Sequence, residues 1–228
     1  GVTVGITPFN FPAMVPMWMI PITLAVGNAF ILKPSDKVPF TSCLLGELIL
    51  EAGFPKGLFS IAQGGREVVE VLIDNPGVAA VAFVGSSAVA RSVYTRATAL
   101  GKRALCLGGA KNHLILAPDA DPKVAVDGIV SSFTGCAGQR CMAGSVLVAV
   151  GDSEHIVTQV IEAASRIQLG RDMGALIDKA ASQRLRTAIE RAEREGATIR
   201  LDGRKVRPPQ GCEEGFWLAP TIIDNVTR

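Results

Sequence analysis

Apolar residues along this chain fall into short runs separated by turn residues, and the spacing inside successive runs alternates between strand and helix. Residues 2–7 are β-branched or apolar and stop at Pro8, which predicts a strand, and 29–32, 58–62, 78–83 and 103–107 read the same way. Between them, Leu44, Leu45, Leu48 and Ile49 recur at helical spacing within 38–52, and Gly53 follows as a stop. Residues 66–74 and 88–100 predict two further helices. Strands alternating with helices imply parallel strands joined by crossovers, so the expected fold class is α/β, doubly wound, with a mostly parallel sheet.

Further along, 114–116 and 145–150 predict strands, and Asp121 followed by Pro122 opens a helix running toward Phe133. Residues 153–167 and 182–195 predict helices, the second with Leu185, Ala188, Ile189 and Ala192 on one face and Glu190 four residues before Arg194 on the other. The charges of 204–215, with Pro208 and Pro209, predict a surface loop. The uncharged stretch 1–32 is long enough to span a membrane. Pro8, Pro12, Pro16 and Pro21 interrupt it, so it reads as strand, loop, buried helix, turn, strand, and no membrane partner is expected.

Composition narrows the function classes. A chain of 228 residues that is 48% hydrophobic can bury a sizeable core in one or two domains. The glycine pair Gly108–Gly109 with Lys111 marks the expected domain change, giving domains 1–108 and 109–228. Twenty-three basic against 21 acidic residues leave +2 with no basic block, which argues against nucleic acid. The five cysteines are unevenly spaced with no C-x-x-C pair, and His113 and His155 stand apart from them. Reduced thiols in a cytoplasmic compartment follow, the mitochondrial matrix being the alternative, with no metal site. A start at Gly1 rather than Met leads us to expect a fragment.

Candidate chemistry concentrates in residues 133–143, where Cys141 directly follows Arg140 in a small-residue segment. A neighbouring cation favours the thiolate, whereas a cysteine without such a field packs as a small hydrophobe. Asn10 lies beyond the carboxyl end of the first strand, where open α/β sheets place ligand groups. The polar loop Lys33, Ser35, Asp36 and Lys37 suits a cofactor edge or an ordinary solvated turn. At Gly85, Ser86 and Ser87 a helix start offers N–H groups to an anion, although the G-x-G-x-x-G fingerprint is absent.

The segments 7–12 (TPFNFP), 33–35 (KPS), 53–57 (GFPKG), 83–86 (FVGS) and 138–141 (GQRC) stand in the order and spacing of the aldehyde dehydrogenase superfamily, which the chain resembles over nearly its whole length. Residues 109–113 (GAKNH) and 138–143 (GQRCMA) are most similar to its CoA-acylating methylmalonate-semialdehyde dehydrogenase branch. The resemblance implies part of an NAD-binding domain in 1–108 and part of an α/β catalytic domain in 109–228. It makes Cys141 the nucleophile that attacks an aldehyde, passes a hydride to NAD and carries the resulting thioester. Asn10 and the Cys141 N–H would donate to the oxyanion. Arg140 would bind a substrate carboxylate or tune the thiol. Thr7 and Phe9 would lie along the nicotinamide, Lys33 and Asp36 at the adenosine ribose and Ser86 at the pyrophosphate, with Ser35, Lys37, Gly85, Val89 and Gly108 as further contacts.

Three departures from the family pattern matter. Asp36 replaces a glutamate, and Ala90 replaces a glycine. Leu107 or Cys106, depending on register, stands where hydrolytic members carry an acid. Without that base water is a poor acceptor and CoA the expected one, and the resemblance implies that the thioester loses carbon dioxide and leaves as propionyl-CoA or acetyl-CoA. The resemblance also implies a homo-oligomer, dimer or tetramer, and places the family's N-terminal region and a downstream cofactor motif outside this chain. The alternatives are a hydrolytic aldehyde dehydrogenase and a non-catalytic homologue that binds a nucleotide or a partner.

Overall fold

A computed structural model describes residues 1–226 and divides the chain into two compact units, Gly1–Gly109 and Ala110–Arg228. In the first unit β1 (Val2–Ile6), α1 (Met14–Ala25), β2 (Ala29–Lys33), α2 (Pro39–Glu51), β3 (Phe59–Ile61), α3 (Arg66–Asp74), β4 (Val78–Val84), α4 (Ser87–Ala99) and β5 (Arg103–Leu107) follow one another. Every strand pair is parallel, in the order β3-β2-β1-β4-β5. Helices cover both faces, which is why the central strands read as continuous apolar runs. Val4, Ile6, Val81 and Phe83 pack against Ile73, Val93 and Ala97. Phe30 and Leu32 pack with Ile20 of α1 in a second cluster, and a Cβ at Gly5 would strike the Phe30 ring.

From β1 the chain winds outward to β2 and β3, then returns to place β4 on the other side of β1. The carboxyl ends of β1 and β4 therefore flank the topological switch point, where doubly wound sheets bind ligands.

Two expectations need correction here. The helix read as buried is α1, yet only Val15, Pro16 and Ile20 are buried, while Trp18 and Ile22 are 44% and 69% exposed. In α2 the leucines at helical spacing include Leu44 and Leu48, both at least half exposed, and the buried positions are Ser42 and Gly46. Ile61 already fills the space beneath α2, its Cδ1 lying 2.9 Å from where a Gly46 Cβ would stand, so the small face turns inward.

The second unit holds β6 (Asn112–Leu116), α5 (Pro122–Thr134), β7 (Gly144–Ala149), α6 (Glu154–Ser165), α7 (Lys179–Arg194), β8 (Thr198–Leu201) and β9 (Ile222–Asp224). β6 and β7 are parallel, and β8 and β9 form an antiparallel pair that the sequence pattern did not predict. Asp121 caps α5, accepting from Val124 N at 2.8 Å. α7 begins three residues earlier than expected because Asp178 caps it through Ala181 N at 2.8 Å. The expected loop 204–215 opens in a 3-10 turn, Gly203–Lys205, where Gly203 is buried with no room for a Cβ beneath the Ala219 carbonyl. Beside it the Arg204 guanidinium holds the Asp202 carboxyl down to about 2.

Leu116, Ile129, Ile156 and Val160 form the core of this unit. Ile156 is fully buried, so Ile156→Ala is expected to cost about 2–5 kcal/mol through lost transfer energy and an unfilled cavity. A lower urea midpoint at unchanged slope is the measurement that checks it.

Candidate active site

On the first unit the expected cofactor residues gather at one sheet edge. Thr7 follows β1, is buried and donates its N–H to Lys33 O at 3.1 Å, which locks the ends of β1 and β2 together. Lys33 ends β2 in register with Ile6 and is itself buried. Desolvation pushes its ammonium down from the usual lysine value, with Asp36 and then Glu67 opposing. Asp36 and Lys37 are exposed in the following loop, where Ser35 Oγ accepts from Lys37 N at 3.3 Å. Phe9 and Asn10 are half-buried in the bend between β1 and α1.

At the end of β4, Ser86 is the N-cap of α4 in extended conformation, and its side chain makes no capping hydrogen bond. The N-cap side chain therefore satisfies none of the first-turn N–H groups of this 13-residue helix. Gly85 N donates to Leu107 O at 3.1 Å, and Ser87 Oγ accepts from Gly109 N at 3.0 Å, drawing the ends of β4 and β5 together. A Cβ at Gly85 would meet the Phe83 ring at 2.5 Å, and one at Gly108 would meet Ser87 Oγ at 2.8 Å. Val89 is exposed on the first turn of α4.

At the two positions that can match the family's missing acid, Leu107 is an exposed alkyl side chain, while Cys106 turns toward the core. Burial pushes the Cys106 thiol up, so it stays neutral and supplies no base.

The second unit carries the nucleophile segment. After α5 the chain makes a 3-10 turn at Gly135–Gly138 in which Cys136 and Ala137 adopt left-handed φ values of 53° and 52°. Such values are costly for side chains with a Cβ, so the turn must be held by its surroundings. Arg140 is one holder. Its Nη2 donates to Ser131 O, which also accepts from Gly135 N, and to Ser132 O, both at 2.7 Å, so the last turn of α5 is tied to the loop that follows. Its guanidinium lies where a Gly135 Cβ would stand, so a side chain there would displace the arginine from these carbonyls. Gln139 is another, with Nε2 donating to Cys136 O at 3.1 Å and Oε1 accepting from Ile177 N at 3.0 Å. Cys141 itself is exposed.

Three residues with a bearing on the site escaped the sequence reading. Asn112 donates through Nδ2 to Cys141 O at 2.7 Å and Ala143 O at 3.2 Å, and Gln139 clamps the turn as described. Glu67, at the start of α3, faces Lys33 electrostatically, and its carboxyl is held down by the backbone N–H groups of Glu67 and Gly65. Asn112 and Gln139 stood inside the G-A-K-N-H and G-Q-R-C runs, but nothing in either run pointed to these contacts.

A doubly wound unit with an open switch point, followed by a unit that presents a thiol on a braced loop, defines a known class. The aldehyde dehydrogenase family matches residues 1–228, and the chain belongs to it. Among individual relatives, it is 48% identical to malonate-semialdehyde dehydrogenase 1 of Geobacillus thermodenitrificans, over all of this chain and 48% of that protein. It is 42% identical to a mitochondrial Drosophila pseudoobscura pseudoobscura protein that carries the name methylmalonate-semialdehyde/malonate-semialdehyde dehydrogenase with the qualifier acylating, over 100% of this chain and 45% of that one. A Sinorhizobium meliloti protein described as a methylmalonate-semialdehyde dehydrogenase, solved with NAD, superposes with a TM-score of 0.96 at 42% identity, over 100% of this chain and 48% of its own. The chain spans about half the length of the relatives it matches. Among the described residues no helix is long and apolar enough to cross a membrane, and no cluster of ligating side chains could hold a metal ion.

Proposed function

We propose that this chain supplies the cofactor-binding and nucleophile-bearing parts of an NAD-dependent, CoA-acylating dehydrogenase acting on malonate-semialdehyde-type aldehydes. The observation that carries the reading is Cys141, an exposed thiol on a loop held by Arg140, Gln139 and Asn112. NAD bound to one solved relative described as a methylmalonate-semialdehyde dehydrogenase supports the cofactor assignment. The first unit fits such a group: the start of α4, where the Ser86 side chain makes no capping bond, suits a pyrophosphate, and Gly85 and Gly108, packed without a Cβ against the Phe83 ring and Ser87, are assigned as contacts beside it. The Lys33 ammonium, with Asp36, suits the hydroxyls of a ribose, and Thr7 and Phe9 are assigned to the nicotinamide side. Ser35, Lys37 and Val89 are assigned as peripheral contacts.

In this reading the Cys141 thiolate attacks the aldehyde carbon, a C–S bond forms, and the carbonyl electron pair moves onto oxygen. The Asn10 amide and the Cys141 N–H are assigned as donors to that oxygen. When bound, NAD supplies the acceptor for the hydride leaving the thiohemiacetal carbon. Cys141 is then left as a thioester. The substrate carboxylate leaves as carbon dioxide, a proton taking its place on carbon; the thiolate of CoA then attacks the thioester carbonyl, the bond to Cys141 breaks with its electron pair returning to sulfur, and acetyl-CoA or propionyl-CoA departs. A neutral Cys106 and an alkyl Leu107, where hydrolytic members carry an acid, favour the thiol over water as acceptor. Arg140 commits Nη2 to α5, and its Nη1 edge is assigned to the substrate carboxylate.

The test is NADH formation from malonate semialdehyde, with and without CoA, in the enzyme containing this chain. Turnover dependent on CoA with acyl-CoA as product is expected. Equal turnover without CoA, releasing free acid, would replace the acylating reading with the hydrolytic one.

A further inference from the structure

We propose that Asn112 is a positioning residue for Cys141: by donating one side-chain NH2 to two carbonyls of the nucleophile loop, it sets the orientation of the nucleophile's backbone. The inference rests on the reading of Cys141 as nucleophile. Both acceptors are carbonyl oxygens, at 2.7 Å on Cys141 and 3.2 Å on Ala143, so the amide must turn its NH2 group toward them.

The effect on Cys141 follows from peptide planarity. The peptide preceding Cys141 is fixed by Ala143 N, which donates to Arg140 O at 3.2 Å and so turns the Cys141 N–H the opposite way. Among the described residues that N–H makes no hydrogen bond, leaving it available as an oxyanion donor. The peptide following Cys141 is fixed by Asn112. With the planes on both sides set, φ and ψ of Cys141 are set, and with them the direction of the Cα–Cβ bond from which the sulfur hangs.

The anchor is rigid because Asn112 opens β6 in register with Gly144 of β7. Gly144 N donates to Ser132 Oγ at 2.9 Å, tying the far side of the loop to α5. The loop itself offers little regular backbone bonding and contains two left-handed residues, so without Asn112 the Cys141–Met142 peptide loses its constraint.

Asn112→Ala removes the donor. Asn112→Asp keeps the shape but opposes two carbonyl oxygens with a carboxylate, and regains a single donor when protonated. A misplaced nucleophile costs on the order of 10²-fold, so Asn112→Ala is expected to lower kcat about 10²-fold with KM for NAD unchanged. Alkylation of Cys141 by iodoacetamide, located by mass spectrometry with exposed Cys43 and Cys212 as internal standards, reads the thiol directly. The ratio of the Asn112→Asp rate to the wild-type rate is expected to rise as pH falls, because only the protonated carboxyl donates. A ratio that is the same at every pH would mean that the donor at this position does not act on the nucleophile, and this outcome overturns the proposal even if Asn112→Ala fails to fold. Wild-type kcat in Asn112→Ala, alongside an inactive Cys141→Ala, also overturns it while leaving the nucleophile in place. Activity in Cys141→Ala would instead reject the reading on which the proposal rests.

Discussion

Cys141→Ala is expected to abolish NADH formation, by about 10⁴-fold or more, while NAD still raises the thermal midpoint of the protein. Removing a covalent nucleophile takes away the intermediate itself, and such changes cost far more than the loss of a single hydrogen bond. Cofactor binding survives because the residues assigned to it lie in the other unit. Cys141→Ser sharpens the test. It preserves the loop's shape, but a hydroxyl ionises far less readily than a thiol and would form an ester, from which transfer to another thiol is poor. Cys136 is the natural rival, since it too is exposed and lies five residues earlier. Its carbonyl is itself clamped, by Gln139 N at 3.0 Å and Gln139 Nε2 at 3.1 Å, so what separates the two thiols is the G-Q-R-C segment, which matches the family at Cys141 and not at Cys136. Cys136→Ala is therefore expected to keep activity, and an inactive Cys136→Ala beside an active Cys141→Ala would move the nucleophile.

The alternation that defines the doubly wound unit was legible because helices cover both faces of its sheet, so β1, β2 and β4 carry almost unbroken apolar runs. Which face of α2 turns inward was not, since Leu44 and Leu48 advertise one face while Ser42 and Gly46 occupy the other against Ile61. Periodicity specifies a helix, but the shape of the sheet beneath selects its buried stripe. β8 and β9 are four and three residues long, too short to show an alternation, and their partners are distant in sequence.

The site divides in the same way. Lys33, Gly85, Ser86 and Cys141 sit at strand ends or in a distinctive loop, and their order along the chain makes them visible. Asn112 and Gln139 act on backbone 29 and 38 residues away, which no local pattern reveals. Arg140 was read as a cation beside a thiol, and the structure adds that Gly135 lets its guanidinium fold back onto the last carbonyls of α5.

Asn10→Ala is expected to lower kcat by about 10²–10³-fold, equivalent to about 2.7–4 kcal/mol of barrier, if its amide donates to the developing oxyanion. The interaction strengthens as charge builds on oxygen, so the loss should fall on kcat and leave KM for the aldehyde little changed. Geometry favours a fixed donor. Asn10 lies between Pro8 and Pro12 in the bend after β1, and Phe11 O accepts from Val15 N at 3.3 Å as α1 begins, so the segment is braced at both ends. Asn10→Asp should be worse than Asn10→Ala, because an ionised carboxylate would add negative charge where the transition state already gathers it. The decisive control is iodoacetamide, whose reaction with Cys141 creates no oxyanion. If Asn10 serves that charge, Cys141 alkylation proceeds at the wild-type rate in Asn10→Ala while aldehyde oxidation collapses, and a parallel fall in both would mean that Asn10 acts on the thiol instead.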